Sequence, residues 1–198
     1  GDTGRTRIVC RTGSIIEMGD LALTSLQTAR SIIILAPEDE GSNPDVAVIK
    51  TLLAITNAPD RRPEPYHVVA EIRDPTNLDV ARMVGKNEVE IILVGDLIAR
   101  IIAQTCRQSG LSAVYTELLD FGGDEIYLKE DAALVGRTFG DAIMAFATSS
   151  LIGLEPRNGL PQINPPFTTV IGPGDRIIVV AEDDDKIEIS PQRSLPIA

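Results

Sequence analysis

The chain has 198 residues and 43% hydrophobic content, enough to bury a sizeable core as one large domain or two small ones. Its 29 acidic and 18 basic residues give a net charge of −11, which argues against nucleic acid or an anionic membrane surface as partner, because both attract positive surfaces. Two widely separated cysteines, Cys10 and Cys106, lie in apolar stretches and predict reduced core thiols in a cytosolic setting, not a disulfide framework or a zinc site.

Four short runs rich in Ile and Val recur in the first half of the chain, at 6–11, 31–37, 66–74 and 89–96. Their centres show little alternation of apolar and polar residues, which is typical of strands buried on both faces of a parallel sheet. Helical patterns separate them. One is the stripe Val46, Ile49, Leu52, Leu53 and Thr56, which follows Asn43-Pro44, and the other runs from Asp74-Pro75 to Gly85. The alternation predicts a doubly wound α/β sheet.

A pair of helices joined at Ser109-Gly110 is predicted after the fourth strand, and the pattern in the second half of the chain then changes to mostly short strands. The helices carry a wide apolar stripe, and we weigh two explanations for it: burial within its own lobe, or an interface with a second copy. After Gly122-Gly123, strands at 124–130, 151–156, 167–171 and 176–182 surround one helix at 138–149, which predicts a small α+β domain. No run of about 18 apolar residues indicates a membrane span.

Two motifs near the end suggest chemistry but have simpler explanations. The sequence Gly172-Pro173-Gly174-Asp175 is followed at once by a predicted strand, so the turn of a hairpin is favoured over a phosphate loop at a helix N-terminus. The acidic run 182–185 lacks the ligand spacing of an EF-hand, so a solvated strand end is favoured over a cation site. His67 has no partner residue at a meaningful spacing, which favours a structural or surface role.

Ligand-contacting residues are expected in the loops that follow the strands of a doubly wound sheet. Two such loops carry the candidates Asp39, Glu40, Asn43, Glu71 and Asp74, which suit a cation or a ribose hydroxyl better than a phosphate. For the first loop a structural interpretation is favoured over ligand binding, namely an acidic loop that caps the helix beginning at Pro44. Asp74 also fits the pattern of an N-cap. No G-x-G-x-x-G motif occurs, so the fold is either smaller than a full nucleotide-binding domain or has its first strands outside this chain.

Residues 5 to about 189 contain segments that resemble those of one known protein family and occur in the same order. Six segments, in this order, carry the likeness: RIVCRTGS, SIIILAPED, YHVVAEIRDPTNLDVARMVG, EIILVGDLIARIIAQTCRQSGLSAVYTELLDFGGDEIYL, LVGRTFGDA and INPPFTTVIGPGDRIIVVAED. They resemble the cytosolic region of CASTOR/POLLUX-type ion channels, in a bacterial version. Such regions are built from TrkA-like RCK domains, which regulate K⁺ conductance. The resemblance implies a partial Rossmann-like N-lobe at 1–96, crossover helices at 97–122, a C-lobe at 123–189 and a linker or tail at 190–198.

The resemblance further implies a homo-oligomer, a dimer or larger, with four subunits in the full channel and the membrane pore outside this chain. Pairs of subunits would join through the crossover helices, at Ile98, Ile101, Ile102, Thr105, Leu111, Val114 and Leu118. The function it favours is a non-enzymatic, cytoplasmic ligand- or ion-sensing module of a K⁺ or Ca²⁺ channel or transporter. The resemblance leaves the ligand unidentified, with a nucleotide and Ca²⁺ as the two candidates. The alternatives are a fragment of a nucleotide-dependent oxidoreductase and a scaffold that senses nothing.

Overall fold

The structure, a computed structural model, describes residues 7–38, 43–120 and 122–189. Its contacts divide the chain into two compact units, the first ending at Cys106 and the second beginning at Arg107. The finer division into two lobes and separate crossover helices stays a prediction. In the part of the chain that is described, no helix combines the length and the apolar character needed to cross a bilayer.

A parallel sheet of three strands forms the centre of the first unit. Its strands lie in the order β1 (Ile32–Ile34), β2 (Val68–Ile72) and β3 (Val89–Leu93), with Ile32 opposite Val68 and Val68 opposite Val89. The predicted alternation of strands and helices in an α/β fold is therefore confirmed. The elements are α1 (Met18–Ala22), β1 (Ile32–Ile34), α2 (Pro44–Thr56), β2 (Val68–Ile72), α3 (Leu78–Gly85), β3 (Val89–Leu93) and α4 (Val94–Arg107), which extends one residue past the first unit.

One face of this sheet packs on α2 and makes the core of the first unit. Val68, Ala70 and Ile72 of β2 are wholly buried in one cluster with Val48 and Leu52 of α2. Alternate residues of a strand point to the same face, so β2 presents an unbroken apolar row to the helix. The unit therefore has a single core, on one side of its sheet.

The opposite face of the sheet is open in the described residues. Ile33 in β1 is 71% exposed, Leu35 just beyond it is 67% exposed, and Ile92 in β3 is also exposed. Parallel sheets usually carry helices on both faces, because their strands are apolar on both sides. The described part of the first unit thus has only one of the two helical layers of a doubly wound fold.

The buried stripe of α2 differs from the predicted one. Leu52 and Thr56 are buried as predicted, but Val46 and Leu53 are exposed, and the buried face instead includes Asp45. This helix is apolar on nearly every side, so its sequence pattern does not determine which face meets the sheet.

The second unit is a four-stranded antiparallel sheet with one covering helix, which confirms the predicted α+β domain. Its strands lie in the order β4 (Glu125–Lys129), β7 (Arg176–Ala181), β5 (Ser150–Glu155) and β6 (Gln162–Ile163). Phe139, at the start of α6, is buried in a cluster with Leu134, Ile177 and Val179. Its elements are α5 (Leu111–Leu119), β4 (Glu125–Lys129), α6 (Phe139–Ile143), β5 (Ser150–Glu155), β6 (Gln162–Ile163) and β7 (Arg176–Ala181).

The first predicted strand, at 6–11, is not found in the described residues 7–11. Residues 7–12 form no regular secondary structure, and Ile8 and Val9 are exposed. An apolar run does not form a strand without a neighbour to accept its backbone hydrogen bonds, and the described residues offer none here. Cys10 in this segment and Cys106 on α4 are both exposed free thiols, so the prediction of core thiols was wrong.

The predicted closing hairpin was also wrong, although its turn is present. Gly174 has a φ of +81°, and the amide of Asp175 donates to the carbonyl of Gly172 at 3.3 Å, as in a type II turn. However, β7 pairs with β4 and β5, and residues 167–171 make one isolated bridge, from Val170 to Thr138. Pairing with strands distant in sequence has therefore replaced the local hairpin.

Candidate functional site

The residues predicted to bind a ligand belong to two loops at the carboxyl edge of the parallel sheet. Asp39 and Glu40 lie outside the described residues. Asn43 directly precedes α2, whereas Glu71 and Asp74 lie at and just beyond the end of β2. Each of these three side chains already has a local partner, and those contacts determine what the site can do.

Glu71 and Arg73 together hold the backbone of Ala36. One carboxylate oxygen of Glu71 accepts from the Ala36 amide at 3.0 Å, and the other accepts from Nε of Arg73 at 3.0 Å. Nη2 of Arg73 donates to the carbonyl oxygen of Ala36 at 3.1 Å. The two side chains therefore satisfy both backbone groups of Ala36 and continue the link between the first two strands past the end of β1.

Asn43 and Asp74 act as caps. Oδ1 of Asn43 accepts from the amide of Asp45 at 3.1 Å, with Pro44 in the first position of α2, as predicted. Oδ1 of Asp74 accepts from the amide of Thr76 at 2.9 Å and from its hydroxyl at 2.7 Å, which starts a 3-10 turn at Pro75–Asn77. Their role in ligand binding stays a prediction.

Asp45 is the functional candidate that the sequence analysis missed. Its side chain is completely buried, and its carboxylate accepts three hydrogen bonds from the segment after β2. The donors are the amide of Arg73 at 2.9 Å, the amide of Asp74 at 2.9 Å and Nδ2 of Asn77 at 2.8 Å. A signal was present, because Asp45 stands three residues before Val48 and seven before Leu52, on the helix face that is otherwise apolar.

Glu88 is a second carboxylate with several partners, at the opposite edge of the same sheet. Its two oxygens accept from Nη2 of Arg61 at 2.8 and 2.9 Å, and Oε2 also accepts from the amide of Tyr66 at 3.0 Å. The guanidinium groups of Arg61 and Arg62 lie 5.2 and 4.7 Å from the centre of the Tyr66 ring. This cluster ties the loop between α2 and β2 to the start of β3, which is a structural role.

The pKa values of both carboxyl groups are lowered by these contacts. Burial alone would raise the pKa of Asp45, but the hydrogen bonds from Asn77, Arg73 and Asp74 and the charge of Arg73 outweigh it. Burial would likewise raise the pKa of Glu88, and it is outweighed by the Tyr66 amide, by Arg61 and by the charge of Lys86. Both groups are therefore ionised at neutral pH.

We expect the first unit to lose stability in acid. A carboxyl group whose pKa is lowered by folding stabilises the protein above its unfolded pKa, about 3.9 for Asp and 4.3 for Glu, and that contribution is lost as the pH falls through the folded value. Urea unfolding between pH 7 and pH 3 measures the effect. Asp45→Asn and Glu88→Gln should each reduce the loss of unfolding free energy between pH 7 and pH 3. A loss as large as that of the wild type in both variants would contradict the assignment.

The other candidate ligand groups have structural partners. Nδ1 of His67 lies 3.1 Å from the hydroxyl of Ser31, on the surface. In the acidic run, Asp183 caps a 3-10 turn at Asp184–Lys186, and Glu182 pairs with Lys186 at 2.7 Å. Within the described ranges, no three His, Cys, Asp or Glu side chains are grouped as they would be around a metal ion.

The two predicted crossover helices are present, and neither has a buried residue. On α4, Ile98 and Ile102 are 50% and 57% exposed, and on α5 Val114 is 50% exposed. The remaining predicted interface residues are partly exposed: Ile101, Thr105, Leu111 and Leu118. Of the two explanations for the apolar stripe, burial within the lobe is thus disfavoured in the isolated chain.

Comparison with known proteins gives consistent relatives over nearly the whole chain. The probable ion channel CASTOR of Oryza sativa subsp. japonica is 32% identical over 96% of this chain, and the ion channel CASTOR of Lotus japonicus is 31% identical over 94%. The calcium-gated potassium channel TvoK of Thermoplasma volcanium is 26% identical over 89%. The chain spans 21% and 22% of the two plant proteins and 51% of TvoK.

A solved structure supports the fold. The human SLO3 gating ring matches 89% of this chain with a TM-score of 0.68 and 19% identity, and the match covers 36% of that chain. This likeness is one of fold, and it agrees with the predicted α/β fold class. A family model described as "Castor and Pollux, part of voltage-gated ion channel" matches residues 95–197, which is slightly more than half of the chain. The chain therefore belongs to the Castor and Pollux family.

Proposed function

We propose that this chain is a regulatory, ligand- or ion-sensing module of a cation channel that works within a gating ring on the cytoplasmic side of the membrane. Membership of the Castor and Pollux family is the observation that carries the proposal. The pore would lie in other parts of a longer protein, and the conducted ion would be K⁺ or Ca²⁺. The bacterial origin that the resemblance implies stays a prediction, because the CASTOR relatives above come from plants.

Oligomerisation is part of this proposal. We expect pairs of chains to meet through the apolar faces of α4 and α5, because exposed apolar surface of this extent is unusual on a monomer. A tetrameric channel would then carry two or more such pairs. In this proposal the lobes move at Ser109-Gly110 and at Gly122-Gly123. These positions carry small residues, and Gly110 has a positive φ.

Sensing requires that a ligand bind two arrangements of the ring with different affinity, since a ligand with equal affinity for both shifts nothing. The carboxyl edge of the parallel sheet supports such a site by its position and by its polar groups, Glu71, Arg73 and Asp74. The nucleotide-dependent oxidoreductase is disfavoured, because the relatives named above are ion channels and not enzymes. The scaffold remains the second candidate, since the same residues have structural partners.

A thermal-shift screen separates a sensor from a scaffold. NAD, NADH, ATP, cyclic dinucleotides, Ca²⁺, Na⁺ and K⁺ are added singly to the chain, and a ligand at 100 times its Kd should stabilise the folded state by about 2.7 kcal/mol, seen as a raised Tm. If none of them raises the Tm, the sensing function fails for this chain and the scaffold is favoured. Turnover of NADH would instead support the oxidoreductase.

A matched pair of variants places the ligand. Asp74 and Asp131 each cap a 3-10 turn through Oδ1, to Thr76 and to Ala133, both at 2.9 Å. Asp74→Asn and Asp131→Asn each remove one carboxylate charge but keep an amide oxygen that can still cap the turn, one at the candidate site and one in the second unit. We expect only Asp74→Asn to reduce the ligand-induced rise in Tm, and an equal reduction in both would move the ligand away from this edge.

A further inference from the structure

The carboxylate of Asp45 is a buried charge that does not serve its own helix. The other buried polar residues of α2 are Thr51 and Thr56, and their hydroxyls donate to carbonyls within the helix, at Ala47 and Leu52. Asp45 instead accepts all three of its hydrogen bonds from residues 28 to 32 positions further along the chain. A buried charge is costly unless it is fully paired, so its presence here indicates a role that neutral residues do not fill.

The position of Asp45 explains what it connects. It lies in the second position of α2, directly after the loop that follows β1, and its donors Arg73, Asp74 and Asn77 make up the segment that follows β2. From the strand side, Glu71 reaches back to Ala36, which lies just after β1. The two loops at the carboxyl edge are thus tied together by two carboxylates, and only that of Asp45 is completely buried.

The chemistry of the contact requires a carboxylate. The amides of Arg73 and Asp74 reach different oxygens of Asp45, so both oxygens must accept. An asparagine keeps the shape but presents its NH₂ group to one of these donors, and a buried donor without an acceptor is strongly unfavourable. Hydrogen bonds to an ionised acceptor are also about twice as strong as those to a neutral one.

We propose that Asp45 is a positioning residue for the candidate ligand site, in which its buried carboxylate holds the loop after β2 against the start of α2. It thereby fixes where Glu71, Arg73 and Asp74 stand relative to the loop after β1. A ligand bound at this edge would be sensed at the N-terminus of α2 through the same contact. This inference rests on the proposed sensing function but is tested by a measurement that needs no ligand.

Amide hydrogen exchange of Asp45→Asn provides that measurement. We expect exchange at Arg73 and Asp74 to quicken on the order of tenfold or more beyond any rise at the amide of Ala70 within β2, which reports the overall stability of the unit. Thr51→Val is the matched control, since it removes a buried hydrogen bond of the same helix and should leave Arg73 and Asp74 unchanged. Unchanged rates at Arg73 and Asp74 in Asp45→Asn would overturn the proposal. An equal rise at Ala70 would do so too, by showing a general loss of stability.

Where Asp45→Asn fails to fold, the wild-type protein answers the same question. As the pH is lowered, the amide proton resonances of Arg73 and Asp74 should shift in step with the carboxyl carbon of Asp45, and resonances that stay in place through that titration would refute the contact.

Ca²⁺ and ATP are the probes for ligand binding, and they are tested on the wild type and on both variants. Any affinity of the wild type should fall about tenfold in Asp45→Asn and not in Thr51→Val, and equal affinity in all three proteins overturns the positioning role. If neither probe binds the wild type, sensing of these probes fails, whereas the exchange result still decides the role of Asp45.

Discussion

Ile102→Asp should convert the associated chain into a monomer. Ile102 lies on the apolar face of α4 and is 57% exposed in the single chain, so the substitution does not disturb a core. In the proposed pair it would bury a carboxylate without a partner, which costs about 3 kcal/mol or more, and a dimer Kd would rise about 100-fold or more. Analytical ultracentrifugation across a range of concentrations measures the change.

Gln104→Asp is the control for this experiment. It adds the same charge two residues away, outside the apolar stripe of α4, and should leave association unchanged. Equal association of Ile102→Asp and wild type would remove α4 from the interface. A wild-type chain that stays monomeric at high concentration would remove the interface altogether.

Phe139→Ala should destabilise the second unit by about 3–5 kcal/mol, the range seen when a buried Phe is truncated and a cavity remains. Phe139 is 1% exposed and lies in the cluster that joins α6 to the inner face of the sheet. The backbone bond from its amide to Thr169, at 2.7 Å, does not depend on the side chain, so the loss reports packing. Urea unfolding followed by circular dichroism measures it.

Phe167→Ala supplies the comparison in the same unit, because Phe167 is 64% exposed. Its loss should cost about 1 kcal/mol or less, since little apolar surface is removed from water when this ring is in place. Equal losses in the two variants would show that the cluster around Phe139 is not the main core of the second unit.

From the sequence alone, the candidate site could be placed at one edge of the sheet, but not all of its residues could be identified. The rule that ligand loops follow the strands of a doubly wound sheet singled out Asn43, Glu71 and Asp74, and the structure shows all three near that edge with local partners. It did not single out Asp45, whose three donors come from residues 73, 74 and 77. A side chain's distant partners depend on how the chain folds back, which no local spacing encodes.

The sequence by itself determined where several helices and turns begin, although the helix predicted at 138–149 ends at Ile143. Asn43-Pro44, Asp74-Pro75, Thr138 and the turn at Gly174 act within a few residues, through side-chain caps and restricted φ values, so their effects are visible in the sequence. The order of strand and helix in each half follows from the same local signals. The order of the segments also carried the family resemblance, which the comparisons confirmed.

The tertiary structure alone decided which faces and edges are paired. The apolar run at residues 7–12 has no strand beside it in the part of the chain that the structure describes, and it stays irregular. Strand β7 pairs with β4 and β5 and not with the segment just before it. The buried face of α2 was likewise chosen by the sheet it packs on. These outcomes depend on the free energy of contacts between distant residues, whereas caps and turns depend on neighbours, and that difference in range separates what was predicted from what was not.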